Sequence, residues 1–483
     1  METGEGQQLQ GWLSFFYVPE KVEKLWCIVL YSKIDVKKLQ IPELENPAEA
    51  VLVEHALSST TQERRQEKRA LRRFERLNQA VDILYRQSIK IFGREVENHI
   101  QRLNFHATIK CHRITIKKNV SIHQSTTTQK TFFSGLSTCG SVWACPICAA
   151  KIQERRAKEI QKFFEYMYKN GKQIIMLTLT FPHYLSDKLA EITKKHDKAL
   201  KIFREGGSYQ RFVDSIEYAG MIHGTEVTFG VNGWHLHTHD LYAIKNNLSN
   251  IEKEKIIEFI NQQWEKACIK AGLLDINNRK QVHAFRKRSV NVIFNAKSSD
   301  YIAKTQETQK EWGADKEVAK ASSKIGKKSG ITPFQILDKS KNNIEYQELF
   351  LEYVLAMRNK SQLFWSKGLK KLVGIVEKTD KQLIDEQEDT ATLVATIPAN
   401  PHWTFVAKNN AQGEILIIAK NQGFAGLQEW FEKIGLKLET SSICEKSVAE
   451  SKAKFNFRLH WRTKDIEKPP PPPVTIDNDP LAW

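Results

Sequence analysis

Apolar residues recur along this chain at two periods, and each period marks a different kind of element. Leu71, Phe74, Leu77, Val81, Leu84 and Ile89 return at three-to-five-residue spacing, which predicts a long helix over 62–93. Its first half carries a basic face of Arg64, Arg65, Lys68, Arg69, Arg72 and Arg73. Residues 107–133 alternate and are rich in β-branched types, so they predict strands. Helical spacing returns over 149–169 with Ile152, Ile160, Phe163, Phe164 and Met167, and Asn170-Gly171 closes that helix. A buried strand (173–181), a helix (188–204) and two strands (217–229 and 234–244) follow. Gly230-Val231-Asn232-Gly233 joins the last two with hairpin chemistry. A helix over 249–272, a strand over 289–295 and a short helix over 298–308 complete the central pattern.

Beyond it the reading is coarser. A lysine-rich connection covers 313–330, helix 345–375, and a charged linker 376–396. A hairpin over 402–419, turning at Asn410-Ala411-Gln412-Gly413, and a helix over 425–436 predict a small C-terminal module. Five consecutive prolines, 469–473, predict a polyproline II tail. The fold class is therefore α+β, an antiparallel sheet with flanking helices, a zinc-binding element and a small C-terminal α/β module. The expected divisions are a mostly helical region (1–104), a cysteine element and its helix (105–170), a core (171–310), a helical continuation (311–375), a linker (376–400), the module (401–467) and the tail (468–483).

Composition narrows the partners. Lys plus Arg number 73 against 56 for Asp plus Glu, a net charge of +17, which favours a polyanion such as nucleic acid. No stretch approaches the ~20 apolar residues that span a bilayer, and the N-terminal residues lack the basic and apolar regions of a secretion signal. A cytoplasmic protein with no membrane partner is expected. Seven cysteines in 483 residues do not make a disulfide scaffold, and clustered cysteines in that compartment read as metal ligands.

Three constellations carry chemistry. Cys139, Cys145 and Cys148, the last two in a Cys-Pro-Ile-Cys turn, offer three thiolates. Structural Zn²⁺ needs a fourth ligand, which Cys111 supplies, with His112 as its competitor. In Trp234-His235-Leu236-His237-Thr238-His239 the histidines alternate, so a strand presents all three on one face. Glu226 on the partner strand adds an oxygen ligand, and the set suits Mg²⁺, Mn²⁺ or Zn²⁺ acting on a phosphate. Tyr301 and Lys304 share a helix face at i and i+3, where an ammonium favours a phenolate or holds a phosphate.

Together these motifs resemble the rolling-circle replication initiators of bacterial plasmids, members of the HUH endonuclease superfamily. The resemblance runs over roughly 105–375. Leu177-Thr178-Leu179-Thr180 is similar to the family's first motif and Glu226-Val227-Thr228 to its E-x-T. Trp234 to His239 is similar to W-H-P-H-x-H, with Leu236 for the proline and Thr238 where a bulky apolar residue is usual. The cysteine cluster, Glu352-Tyr353 and Trp365-Ser366-Lys367-Gly368-Leu369 also match. In the third motif Tyr301 holds the first tyrosine position and Thr305 replaces the second.

The resemblance implies an HUH-like fold and metal-dependent nicking and joining of single-stranded origin DNA. His237 and His239 are the metal pair, with His235 or Glu226 as the further ligand, and Tyr301 is the nucleophile of a 5′-phosphotyrosyl intermediate assisted by Lys304. It implies Mg²⁺ or Mn²⁺ at that site, Zn²⁺ at the cysteines, and plasmid origin DNA, a host helicase and the replication machinery as partners. A host helicase is needed because no Walker A pattern is present. One motif tyrosine leaves termination to a second protomer, and so to a dimer, or to water or another nucleophile. An HUH transposase or relaxase, or a non-catalytic zinc-containing DNA-binding protein, stands as the alternative.

Overall fold

The computed structural model describes residues 47–92, 106–297, 330–385 and 390–439. Its elements are α1 (Pro47–Phe92), β1 (Asn119–Ser125), β2 (Thr131–Ser134), α2 (Pro146–Lys169), β3 (Lys172–Leu179), α3 (Leu189–Phe203), α4 (Gly206–Ser215), β4 (Gly220–Gly230) and β5 (Gly233–Lys245). There follow α5 (Asn250–Ala271), α6 (Arg279–Arg288), β6 (Val290–Ile293), α7 (Pro333–Ser340), α8 (Ile344–Ala356), β7 (Leu363–Trp365), α9 (Leu369–Leu372), α10 (Asp380–Asp385), β8 (Ala391–Pro398), α11 (Thr404–Lys408) and α12 (Gln412–Lys433). Residues 1–64 and 65–483 form separate units, and every element from β1 onward belongs to the second.

The central sheet has five strands in the order β6-β3-β5-β4-β7, all pairs antiparallel. Both faces are covered, which explains why Ile174 to Leu177 read as an unbroken apolar run. On one face Ile174, Met176, Ile222, Leu241 and Ala243 pack with Phe163, Phe164 and Met167 of α2. On the other, Ile175, Leu177, Leu236, Tyr242 and Ile244 join a core with Phe203 of α3 and Ile260 and Trp264 of α5. A Ser249–Glu252 capping box starts α5 and Gly272, in the left-handed region, ends it. No helix among the described residues is long and apolar enough to cross a membrane.

Buried under this second face is an ion pair. Arg204 Nη2 donates to Asp240 Oδ2 at 2.7 Å, and Asp240 Oδ1 lies 2.6 Å from His223 Nδ1. Burial disfavours the Asp240 carboxylate, but His223 and Arg204 outweigh it and hold its pKa at about 2. Because that lies below the ordinary 3.8, the pair's stabilisation is present above about pH 4 and is lost as pH falls towards 2. Arg204→Met leaves a buried carboxylate with one charged partner fewer and is expected to cost about 3–5 kcal/mol, read from urea unfolding at pH 7.

The structure corrects several of these expectations. Residues 376–400 are not a linker: α10 occupies Asp380–Asp385, and β8 pairs with β1 to complete a three-stranded sheet, β2-β1-β8. The charged run before β8 masks a strand whose partner lies far away in sequence. The hairpin over 402–419 is also wrong. Asn410 adopts φ 57° and turns the chain between helices α11 and α12, since left-handed residues end helices as readily as they join strands. The C-terminal module is thus helical within the described residues. It packs on the small sheet, with Thr131 Oγ1 donating to the Leu416 carbonyl at 2.7 Å, and Gly413 leaves room for Leu71 and Phe74 of α1. The helix over 345–375 breaks after Ala356; Leu363–Trp365 instead extends the sheet beside β4. The apolar pattern does not announce helices α4 and α6; in α6 only Val282 and Phe285 are buried, too few to show a period. The expected helix at 298–308, with Tyr301, Lys304 and Thr305, lies outside the described residues, as does the proline tail.

Candidate functional site

The two-residue turn between Gly230 and Gly233 fixes the hairpin register, so Glu226 pairs with His237 across β4 and β5. On the other side Thr178 of β3 pairs with His239. Alternation then puts Thr178, Glu226, His235, His237 and His239 on the face that α2 covers lower down, beyond the end of the apolar contacts.

Three of these side chains converge. Glu226 Oε2 lies 3.4 Å from His237 Nε2 and 3.4 Å from His239 Nε2. All three donor atoms lie within 4.8 Å of one another, so the group could hold a metal ion. Charge-assisted hydrogen bonds are shorter, about 2.7–2.9 Å. Donors that share one ion at about 2.1 Å are instead about 3.0–3.4 Å apart, so the spacing fits coordination better than an ion pair. Burial alone would raise the Glu226 pKa, but its contacts with His237 and His239 outweigh this and hold it at about 2. The carboxylate is therefore ionised at neutral pH.

Thr178 Oγ1 lies 3.0 Å from His239 Nδ1. An imidazole that gives its Nδ1 proton to an acceptor presents a bare Nε2, the form a metal needs. Thr178→Val, which keeps the shape and removes that oxygen, is expected to weaken Mn²⁺ binding by about 10–100-fold, measured by titration calorimetry. His237 Nδ1 is buried with no hydrogen-bond partner among the described residues.

His235 does not join the cluster. Its Nε2 lies 3.0 Å from Thr180 Oγ1, and its ring stacks on His183 at 4.9 Å and on His237 at 4.5 Å. Burial, reinforced by the neighbouring His237 and His183, lowers its pKa to about 3 and keeps it neutral. Thr180 is itself fixed, its N–H donating to the Ser289 carbonyl at 2.8 Å and its carbonyl accepting from Trp264 Nε1 at 2.8 Å. The sequence shows Thr178 and Thr180 as a motif but not their partners, because the β3 register depends on a strand some sixty residues away.

The cysteines form a second group. Cys111 closes a short 3₁₀ turn (Ala107–Lys110), Cys139 follows β2, Cys145 caps the N-terminus of α2, and Cys148 lies in its first turn. Cys111 Sγ is 3.6 Å from both Cys145 Sγ and Cys148 Sγ, and Cys139 Sγ is 3.6 Å from Cys148 Sγ. A disulfide needs about 2.05 Å. Four thiolates about 2.3 Å from one Zn²⁺ stand about 3.8 Å apart, so the group fits a tetrahedral ion. Thr108 Oγ1 and the Ser141 N–H each donate to Cys139 Sγ at 3.5 Å. His112, the competitor for the fourth position, packs its ring against Phe74 and Phe133, and burial lowers its pKa to about 4.

A sequence profile of the replication protein family matches residues 132–399, more than half of the chain, and the chain belongs to that family. It is similar to Protein rep of Streptomyces lividans, with 26% identity over 302 residues, 50% of this chain and 64% of that protein. It is also similar to a protein named neomycin resistance protein of Streptomyces cyanogenus, with 28% identity over 170 residues, 29% of this chain and 39% of that one. The chain therefore spans less than two thirds of either relative. No solved structure matches it.

Proposed function

We propose that this protein initiates plasmid rolling-circle replication by nicking one strand at the origin and later rejoining it. The observation that carries this reading is the convergence of Glu226, His237 and His239 on one sheet face, in a chain of the replication protein family. These three residues would hold Mg²⁺ or Mn²⁺, which supplies Lewis-acid polarisation of a scissile phosphate. The phenolate oxygen of Tyr301 attacks phosphorus, the O–P bond to the 3′ oxygen breaks, and the products are a 5′-phosphotyrosyl strand and a free 3′-hydroxyl that primes synthesis. Lys304 stabilises the phenolate or the phosphate. The ester keeps the bond energy for rejoining.

Zn²⁺ at the cysteines is structural in this reading, holding α2 against the small sheet.

Single-stranded origin DNA labelled at either end, incubated with the full chain and Mn²⁺, tests it. Cleavage that leaves an extendable 3′-hydroxyl, retains protein on the 5′ side and stops with a chelator is expected. Tight binding of a confirmed origin without cleavage would replace the reading with that of a non-catalytic DNA-binding protein.

A further inference from the structure

Helix α6 has no part in the site so far, yet its ten residues carry Arg279, Lys280, Arg286, Lys287 and Arg288 and no acid. Val282 and Phe285 are buried, and the five cations are exposed. Arg286 is committed to Glu265 at 2.6 Å. At 100° per residue Lys280 and Lys287 point directly away from the core, while Gln281 and Arg288 share one flank. On that flank Gln281 Nε2 donates to the Tyr184 hydroxyl at 2.8 Å. Tyr184 is 50% exposed, with its hydroxyl held by that bond. The nearby carboxylate of Asp187 is turned back to accept from the Tyr184 N–H at 2.8 Å.

This rim adjoins the metal-ligand face. Ser289, next to Arg288, accepts from the Thr180 N–H, and Thr180 bonds His235. His183, next to Tyr184, stacks on His235. Fixed open aromatic faces beside outward-facing cations are what a single strand needs, because any base offers a π-face and every linkage a charge. Duplex DNA would hide the bases from such a ring.

We infer that Tyr184 and the outward side of α6 form the track that leads a single DNA strand to the metal-ligand face, the ring stacking on a base and Lys280, Lys287 and Arg288 taking phosphates. This rests on the nicking reading above. The test is fluorescence anisotropy of the full chain with a labelled single-stranded origin oligonucleotide, over a salt series, without divalent metal.

Tyr184→Ala is expected to weaken binding about 5–150-fold, and Tyr184→Phe, which keeps the ring, far less. The triple variant K280A/K287A/R288A is expected to flatten the slope of log K against log salt by about 2, near 0.7 for each phosphate no longer neutralised. The control removes Lys194, Lys195 and Lys198, three exposed cations of α3, and is expected to change the slope little. Equal effects of both triple variants, or no effect of Tyr184→Ala, while the native chain still binds and nicks, would overturn the track alone. A native chain that neither binds nor nicks the strand would overturn the reading beneath it. Preference of the rim for duplex would also refute the track.

Discussion

Alanine at both His237 and His239 is expected to lower the proposed metal-dependent nicking of single-stranded origin DNA by at least about a thousandfold. The size follows from what those imidazoles would hold. Lewis-acid stabilisation of charge on a phosphate is worth several kcal/mol, and each 1.36 kcal/mol is a factor of ten in rate. The fold should survive, because both side chains lie on the sheet face beyond the α2 contacts and the buried Arg204–Asp240 pair lies on the other face. Glu226→Gln separates charge from geometry. It keeps an oxygen near both Nε2 atoms and removes the negative charge, so the nicking rate should recover in part as Mn²⁺ is raised. Recovery would be absent if Glu226 served only as an ion-pair partner for protonated histidines. Initial rates at several Mn²⁺ concentrations, alongside thermal melts of each variant, decide between these outcomes.

Cys145→Ser is expected to remove one equivalent of the zinc proposed there and to destabilise the chain by most of its folding free energy. Apparent zinc affinities at structural sites are about 10–16 kcal/mol, comparable to the whole stability of a domain at about 5–15 kcal/mol. Cys145 is the severe choice because it is buried, caps α2 and accepts from the Cys148 N–H at 3.4 Å. Losing an ion held there would release the 3₁₀ turn at Cys111, the loop at Cys139 and the start of α2 together. Metal content by atomic emission and melting by circular dichroism measure this. An unchanged melting temperature with zinc absent from the native chain would show four packed thiols and no metal centre.

How much of the fold and the site is legible in the sequence depends on how local each signal is. The pairing of Glu226 with His237 is legible because the turn at Val231-Asn232 is short and sets the register for the whole hairpin. The alternation of the histidines puts them on one face for the same reason. Alternation cannot show that His235 is taken by Thr180, since that contact depends on the pairing of β3 with β5. Cys111 over His112 is a choice between adjacent residues that the sequence leaves open; in the fold Cys111 faces the other cysteines while the His112 ring packs on Phe74 and Phe133. Strand β8 escapes because its alternation is carried only by Ala395 and Ile397, and its partner β1 lies on the far side of the central sheet in sequence. Tyr184 and α6 carry no motif, and their meaning depends on the Gln281 contact and on Ser289 reaching Thr180.

The most direct measurement is the location of a covalent adduct. The full chain is incubated with single-stranded DNA bearing its own nick site and Mn²⁺, then digested, and the nucleotide-bearing peptide is sequenced by mass spectrometry. A 5′-phosphate ester on Tyr301 is predicted, absent when a chelator is present from the start and absent in H237A/H239A. Cleavage of that DNA with no adduct, or with the adduct on another residue, would contradict it.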